Sequence, residues 1–377
     1  MDFTLDAEQV ALRDAVRGLL GKAYESSETR REATKLEHGW DDKVWAQLAE
    51  MGALGLPFAE ADGGMGAGPV EVSIVAEEIG RVIAPEPYVE AVVLAGGLVA
   101  AAGTDEQRAE ILGALSEGAL VPAFAHNEPN QRYSETATGV TATKQGDAWT
   151  LTGVKEPVIG GARADLLIVS AAVDGGTGLF LVKPDADGLT RDGYATFEGG
   201  RAARIGLKDT PATALGEAGD QSAVIAKVIA EAQVAYGHES LGAMQTALEQ
   251  TTEYLKTRKQ FGVPLSTFQA LTFRAADMYV ELELARSVVT WATLVLLDGG
   301  DALEAASRAK LQVSKAGRHI GKEAIQLHGG IGMTAEYSVG HFTSRLTAID
   351  HTLGDGRHHL AELVTRLDDH TVIEPLP

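Results

Sequence analysis

The sequence predicts an α+β, mainly α fold in three parts: an N-terminal helical domain over 1–120, a small β-domain over 121–215 and a C-terminal four-helix bundle over 216–377. Three observations predict it. Apolar residues recur at helical spacing at both ends of the chain, and the period shortens to strand-like runs in the middle. The longest seam then lies in the last third, as an antiparallel bundle requires.

In the first part, Phe3, Leu5, Val10, Leu12, Val16, Leu19 and Leu20 give one apolar face. Trp40, Val44, Leu48 and Met51 give another, at spacings of four, four and three. The loop from Gly63 to Gly68 superficially matches a dinucleotide fingerprint, but no strand precedes it, so it is an interhelical turn. In the middle, Trp149–Lys155, Asp165–Ala171 and Gly178–Pro184 are short, rich in β-formers and separated by Gly, Asp and Pro, which predicts strands. In the last part, Met278, Leu282, Ala285, Val289, Ala292 and Leu296 alternate spacings of four and three, one continuous seam. The sequence from Glu374 to Pro377 is expected to be a frayed end.

Composition narrows the function. A formal charge of −21 over 377 residues, with 53 acidic against 32 basic side chains, argues against nucleic acid or an anionic membrane as partner, since both demand a basic face. Without cysteine there is no disulfide, thiolate metal site or cysteine nucleophile. The N-terminus lacks the basic start and apolar core of a signal peptide, and no run approaches the roughly 20 apolar residues of a membrane span. The expected location is cytoplasmic. No Gly-x-Ser-x-Gly elbow supports hydrolase chemistry. His351, His358 and His359, with His341 nearby, lack a carboxylate at a ligand spacing, so no metal is expected. Arg201 and Arg204 border a glycine pair and are read as a solvated surface pair, with a CoA phosphate as the alternative.

Two stretches carry the chemistry: Tyr254-Leu-Lys-Thr-Arg-Lys-Gln-Phe-Gly-Val-Pro-Leu-Ser-Thr-Phe-Gln269 and Gln326-Leu-His-Gly-Gly-Ile-Gly-Met-Thr-Ala-Glu-Tyr337. Arg258 presents a guanidinium at a helix end before the chain turns, a geometry suited to the paired hydrogen bonds of a diphosphate. Gly329-Gly330-Ile331-Gly332 lets backbone N–H groups approach an anion without an intervening Cβ. The plainer readings are a cation on a helix dipole and glycines that end a helix.

In their order, these stretches resemble the flavin-holding segments of the acyl-CoA dehydrogenase family, and the three-part layout resembles that family over nearly the whole chain. The resemblance implies FAD as cofactor, an acyl-CoA substrate, an electron-transfer acceptor and a hetero- or homo-tetramer. It places Arg258, Phe261, Gln269, Gln326, Gly329 and Gly330 on the adenosine diphosphate half of an FAD held mainly by a neighbouring subunit. Family chemistry removes a proton beside the thioester carbonyl and passes a hydride from the next carbon to the flavin, so it needs a carboxylate base in a dry cavity.

This chain departs from the family pattern at the base and at the flavin. The family's Glu-Gly-Thr corresponds to His351-Thr-Leu-Gly-Asp-Gly-Arg-His-His-Leu360, which makes Asp355 the nearest candidate base; the plainer reading is a helix cap. Some members place the base on the helix that opens the C-terminal bundle. Alignment through Leu241-Gly242 puts Ala232 there, with Glu231 turned about 100° away and Glu239 further along. The flavin-facing Thr-Glu-Pro-x-Ala-Gly-Ser-Asp becomes Asn127-Glu-Pro-Asn-Gln-Arg-Tyr-Ser134, and Trp-Ile-Thr becomes Pro157-Val158-Ile159. Segments serving a neighbour's FAD are kept while those for the chain's own are altered. The resemblance therefore implies one subunit of a heteromeric dehydrogenase of the sterol, bulky-substrate branch, on the patterns Glu-Pro-x-x-Arg-Tyr and Gly-Asp-x-x-His-His. A homomeric enzyme with an unusual pocket, a non-catalytic assembly subunit and an acyl-CoA oxidase are the alternatives.

Overall fold

The structure is a computed structural model that describes residues 4–146 and 148–367. Phe3 of the first apolar face and the end expected at Glu374–Pro377 lie outside the described residues. Helix α1 (Ala7–Ala23) starts where the Asp6 carboxylate accepts hydrogen bonds from the backbone N–H groups of Glu8 and Gln9 while the Gln9 side chain reaches back, a capping box. It buries Val16 and Leu20. Then come α2 (Ser27–Ala33), α3 (Asp42–Glu50) and α4 (Pro69–Val82). Trp40 precedes α3 instead of belonging to it, yet joins the same core. The glycines from Gly63 to Gly68 form a turn before α4, with left-handed backbone at Gly63 and Gly66.

A π-helix over Tyr88–Gly96, α5 (Gly97–Ala102) and α6 (Asp105–Ser116) complete the helical part. The apolar run Tyr-Val-Glu-Ala-Val-Val-Leu-Ala gives no sign of the wider turn, because helical periodicity does not separate i→i+5 from i→i+4 bonding.

The β-domain has seven strands: β1 (Pro122–Ala125), β2 (Thr141–Gln145), β3 (Ala148–Ile159), β4 (Leu166–Val173), β5 (Gly176–Val182), β6 (Leu189–Ala195) and β7 (Arg201–Ala214). The three strands expected are β3, β4 and β5. The other four escape notice because β1 is very short and β7 is built largely of Ala, Gly and Arg, poor β-formers whose pairing comes from neighbours. β4 pairs with β5, β5 with β7, β7 with β3, β3 with β2 and β2 back with β4, so the sheet curls on itself around Leu151, Val158, Leu167, Val169, Phe180 and Ile205.

In the C-terminal part, α7 (Ser222–Thr257), α8 (Gln269–Leu297), α9 (Ala302–His328) and α10 (Val339–His351) pack as a bundle, with α11 (Gly356–Thr365) on α9. A two-strand hairpin, β8 (Lys259–Gln260) with β9 (Val263–Pro264), joins α7 to α8. The α8 seam is buried from Met278 to Ala292, while Leu296 is half-buried at its end. Helix α7 also crosses α4 at two glycines. A Cβ on Gly80 would strike the Glu239 carbonyl, and one on Gly242 would strike the Glu77 carbonyl, so only glycine allows this approach.

One buried ion pair fixes the loop that faces the bundle. Lys155 Nζ, wholly buried on β3, donates to Glu128 Oε1 at 2.8 Å, to Ser170 Oγ at 3.0 Å and to the His126 carbonyl at 3.0 Å. The Glu128 carboxylate also accepts from the N–H groups of Thr138, Gly139 and Val140 at 3.0, 2.6 and 2.9 Å. The segment 128–140 is thereby closed like a clasp. Removing one partner of such a pair leaves a buried charge. Lys155→Met is expected to cost about 3–5 kcal/mol of unfolding free energy, measured by urea denaturation; a cost below about 1 kcal/mol would show the clasp to be dispensable.

Candidate functional site

The two stretches singled out in the sequence meet at one end of the bundle. Arg258 caps the C-terminus of α7 with extended backbone, and Phe261 and Gly262 take left-handed conformations in the hairpin turn that follows. Phe261 is 92% exposed, which no folding argument favours for a phenylalanine. Gln269 opens α8 and is exposed, and Gln326 is exposed on the last turn of α9. One turn before Arg258, the Tyr254 ring stacks on His328 at 4.5 Å between centroids, and Tyr337 leans on both. This aromatic trio, to which sequence reasoning gave no role, joins the ends of α7 and α9. Tyr254 and Tyr337 bound the two quoted stretches, so the signal was present.

These residues fit a dinucleotide's diphosphate. Among the described residues the Arg258 guanidinium has no hydrogen-bond or ion-pair partner, and a Cβ built on Gly329 or Gly330 would meet nothing within 4 Å. An exposed planar cation beside an open glycine backbone is a site for paired, charge-assisted hydrogen bonds.

The segment from Asn127 to Ser134 is arranged differently. Asn127 directs Nδ2 to the Pro157 carbonyl at 3.4 Å. Within the clasped segment, Tyr133 has a left-handed backbone, uncommon for a bulky residue. Its ring lies 5.2 Å from that of His358 and its hydroxyl donates to Asp355 Oδ2 at 3.4 Å, so it bridges the β-domain to the start of α11.

Asp355 is the N-cap of α11: Oδ1 accepts from the N–H groups of Arg357 and His358 at 3.0 and 2.9 Å. Partial burial pushes its carboxyl up, but those amide bonds and Arg132 outweigh it and hold it below the usual aspartate range. A base for a weak carbon acid needs the opposite shift. Just before it, Leu353 and Gly354 have positive φ, and Gln233 Nε2 donates to the Leu353 carbonyl at 2.6 Å. Beyond them, Glu135, Glu304 and Glu362 rim a groove of about 130 Å³ with Gln233, Ser307 and His358.

Glu239 lies deeper, in an ion network. Arg345 Nε donates to Glu239 Oε1 at 2.6 Å, and its other nitrogens approach Glu90 and Glu198 at 3.6 and 3.8 Å. Tyr236 donates to Glu90 at 2.8 Å. Burial pushes the Glu239 carboxyl up, and Arg345 opposes the shift. The network leaves a cavity of only about 60 Å³, lined also by Arg30, Glu86 and Arg201. Arg201 is thus no solvated surface residue: it packs on Gly39 and donates to the Thr34 carbonyl at 3.1 Å, while Arg204 pairs with Glu156 at 2.7 Å. Glu231 faces a third space, between α7 and the N-terminal helices.

The described residues contain no helix long and apolar enough to cross a membrane. Residues 6–119 match the family model for the acyl-CoA dehydrogenase N-terminal domain, and residues 222–367 match that for the acyl-CoA dehydrogenase C-terminal domain. The chain is 32% identical to acyl-CoA dehydrogenase FadE12 of Mycobacterium tuberculosis over 89% of this chain and 90% of that one. Among solved structures, a variant of the steroid ACAD Tcur3481-Tcur3483 superimposes with a TM-score of 0.89 at 33% identity, covering 97% of this chain and 99% of that one. The ChsE4-ChsE5 complex from Mycobacterium tuberculosis gives 0.90 at 27% identity, covering 99% and 100%.

Glu86 offers a test of how dry the small cavity is. Its carboxylate accepts from the Tyr24 hydroxyl, and burial pushes it from 4.5 to about 7. A carboxyl raised by folding binds more protons in the native state, so its contribution is full below 4.5 and lost as pH rises towards 7. Urea unfolding is expected to lose about 3 kcal/mol over that window, and Glu86→Gln to remove that part of the loss. An unaltered pH profile in the variant would show Glu86 to be solvated.

Proposed function

The chain belongs to the acyl-CoA dehydrogenase family, and we propose that within it the chain is one subunit of a heteromeric enzyme acting on a bulky, sterol-like acyl-CoA thioester. Membership makes it an FAD-dependent oxidoreductase of acyl-CoA α,β-dehydrogenation. The single observation that carries the heteromeric reading is an asymmetry. Arg258 and Gly329-Gly330 stand free at the bundle end, whereas Tyr133, within the segment that would face the chain's own flavin, is held against His358 and Asp355.

In this reading Arg258 and the Gly329 and Gly330 N–H groups hold the diphosphate of an FAD whose ring lies on a partner chain. Phe261, Gln269 and Gln326 surround its adenosine half, and Asn127 keeps its position at the edge of the closed segment. When bound, the flavin accepts the hydride, and an electron-transfer protein reoxidises it. The substrate proton goes to a carboxylate of the partner chain. In this chain, Asp355 is engaged as a cap, Glu239 is ion-paired in the network, and Glu231 opens onto a different space. A bulky acyl group is supported by likeness to the steroid ACAD at 33% identity.

Arg258→Ala should weaken FAD retention in the co-purified complex by about 10–100-fold, the loss of a hydrogen-bonded charge, with folding intact by circular dichroism. Unchanged flavin content would remove Arg258 from the site. Asp355→Asn should keep turnover and lose about 1 kcal/mol or less of stability at the cap. Lost turnover with retained flavin would instead make Asp355 the base.

A further inference from the structure

A cleft beside the N-terminal helices is used by none of the chemistry above. It has a volume of about 350 Å³ and lies between the turn 57–69, α4, the π-helix with α5, and α7. Pockets of roughly 300–1,000 Å³ with mainly apolar walls and a few polar groups are the usual form of small-molecule sites. The walls here are Phe58, Val72, Val93, Ala101, Val234 and Leu296. On α7 the lining residues Lys227, Glu231, Val234 and His238 stand at spacings of four, three and four, one stripe of the helix, with Ala235 beside it. Ala226, Ile229 and Gln233, which face the narrow groove, form a neighbouring stripe rotated by about 100°. One helix therefore separates two distinct spaces.

The polar groups decide what fits. Ser73 Oγ donates to the Val70 carbonyl, and His238 Nε2 lies 2.7 Å from Thr293 Oγ1 while its Nδ1 is turned to Glu77 at 3.7 Å. Glu231 and Lys227 remain, with Oε1 and Nζ 3.9 Å apart, too far for a hydrogen bond. One hydroxyl can donate to the carboxylate and accept from the ammonium at that separation. A carboxylate head would gain Lys227 but meet Glu231, and an amine would gain Glu231 but meet Lys227, so either offsets an attraction with a like-charge contact, which a neutral hydroxyl avoids. Burial pushes the Glu231 carboxyl up, while the Lys227 ammonium stands 70% exposed at the mouth of the cleft.

We propose that this cavity binds an uncharged apolar molecule bearing a hydroxyl group, with the hydroxyl between Glu231 and Lys227 and the hydrocarbon against the walls from α4, α5 and α7. The site is independent of the heteromeric reading, since it lies within one chain and contains none of the residues assigned to FAD.

The probes are 1-octanol, octanoate and octylamine, one apolar body with three heads, titrated calorimetrically into the full chain, in its complex if it purifies as one. Saturable binding of octanol is expected, tighter than either charged probe by about tenfold or more, or about 1.4 kcal/mol. Ala101→Trp should abolish it by filling the space, and Ala67→Trp from the opposite wall serves if the first variant fails to fold. Glu231→Gln leaves Lys227 uncompensated and should move the preference to octanoate. Absence of saturable octanol binding, octanoate binding as well as octanol to the unaltered protein, or full binding to a folded tryptophan variant would each overturn the proposal.

Discussion

The pairing of Lys155 with Glu128 is the constraint on which the face of the β-domain towards α11 depends. A fully buried ammonium and a nearly buried carboxylate satisfy each other and draw in three backbone N–H groups, a hydroxyl and a carbonyl. Such a pair contributes little net stability against apolar residues of the same shape, and its worth lies in fixing one geometry. Here that geometry closes residues 128–140 onto themselves. Tyr133, within the closed segment, reaches His358 and Asp355. The capped start of α11 and the segment before it then form one unit with the β-domain.

Helix α7 is the second organising element, with one function along each part of its length. Its first turns carry two stripes towards two different spaces. Its middle meets α4 through Gly80 and Gly242, close enough to place Glu239 beside Arg345 inside the protein. Its end carries Arg258 into solvent. A chain of net charge −21 that takes anionic ligands needs local cations. Arg258 is unpaired among the described residues, whereas the Arg345 cation is already taken up by Glu239, Glu90 and Glu198.

The helical parts were legible because their apolar seams are regular: the residues from Met278 to Ala292 are buried as the spacing required. The β-domain was legible only where strands are rich in Leu, Ile, Val and Phe. β7, with its Ala, Gly and Arg, is defined by partners distant in sequence. The order of Arg258, Phe261, Gln326 and the glycines could be read directly, since each lies in a short local segment at the bundle end. What sequence could not supply was the stack of Tyr254 on His328 that joins those segments, or the reach of Tyr133 to Asp355 across more than two hundred residues. Asp355 carried two readings in the sequence, base or cap. The structure gives it the hydrogen bonds of a cap, and nothing local in Gly-Asp-Gly distinguishes the two.

The most direct measurement is the flavin absorbance per chain of the purified protein, alone and co-expressed with partner chains of the same family. The account predicts no stoichiometric flavin in the chain alone and about one FAD per pair of unlike chains, because each site needs a cradle from one chain and an open flavin-facing segment from the other. One FAD per chain in the isolated protein would contradict it, showing that Tyr133 leaves the chain's own site open.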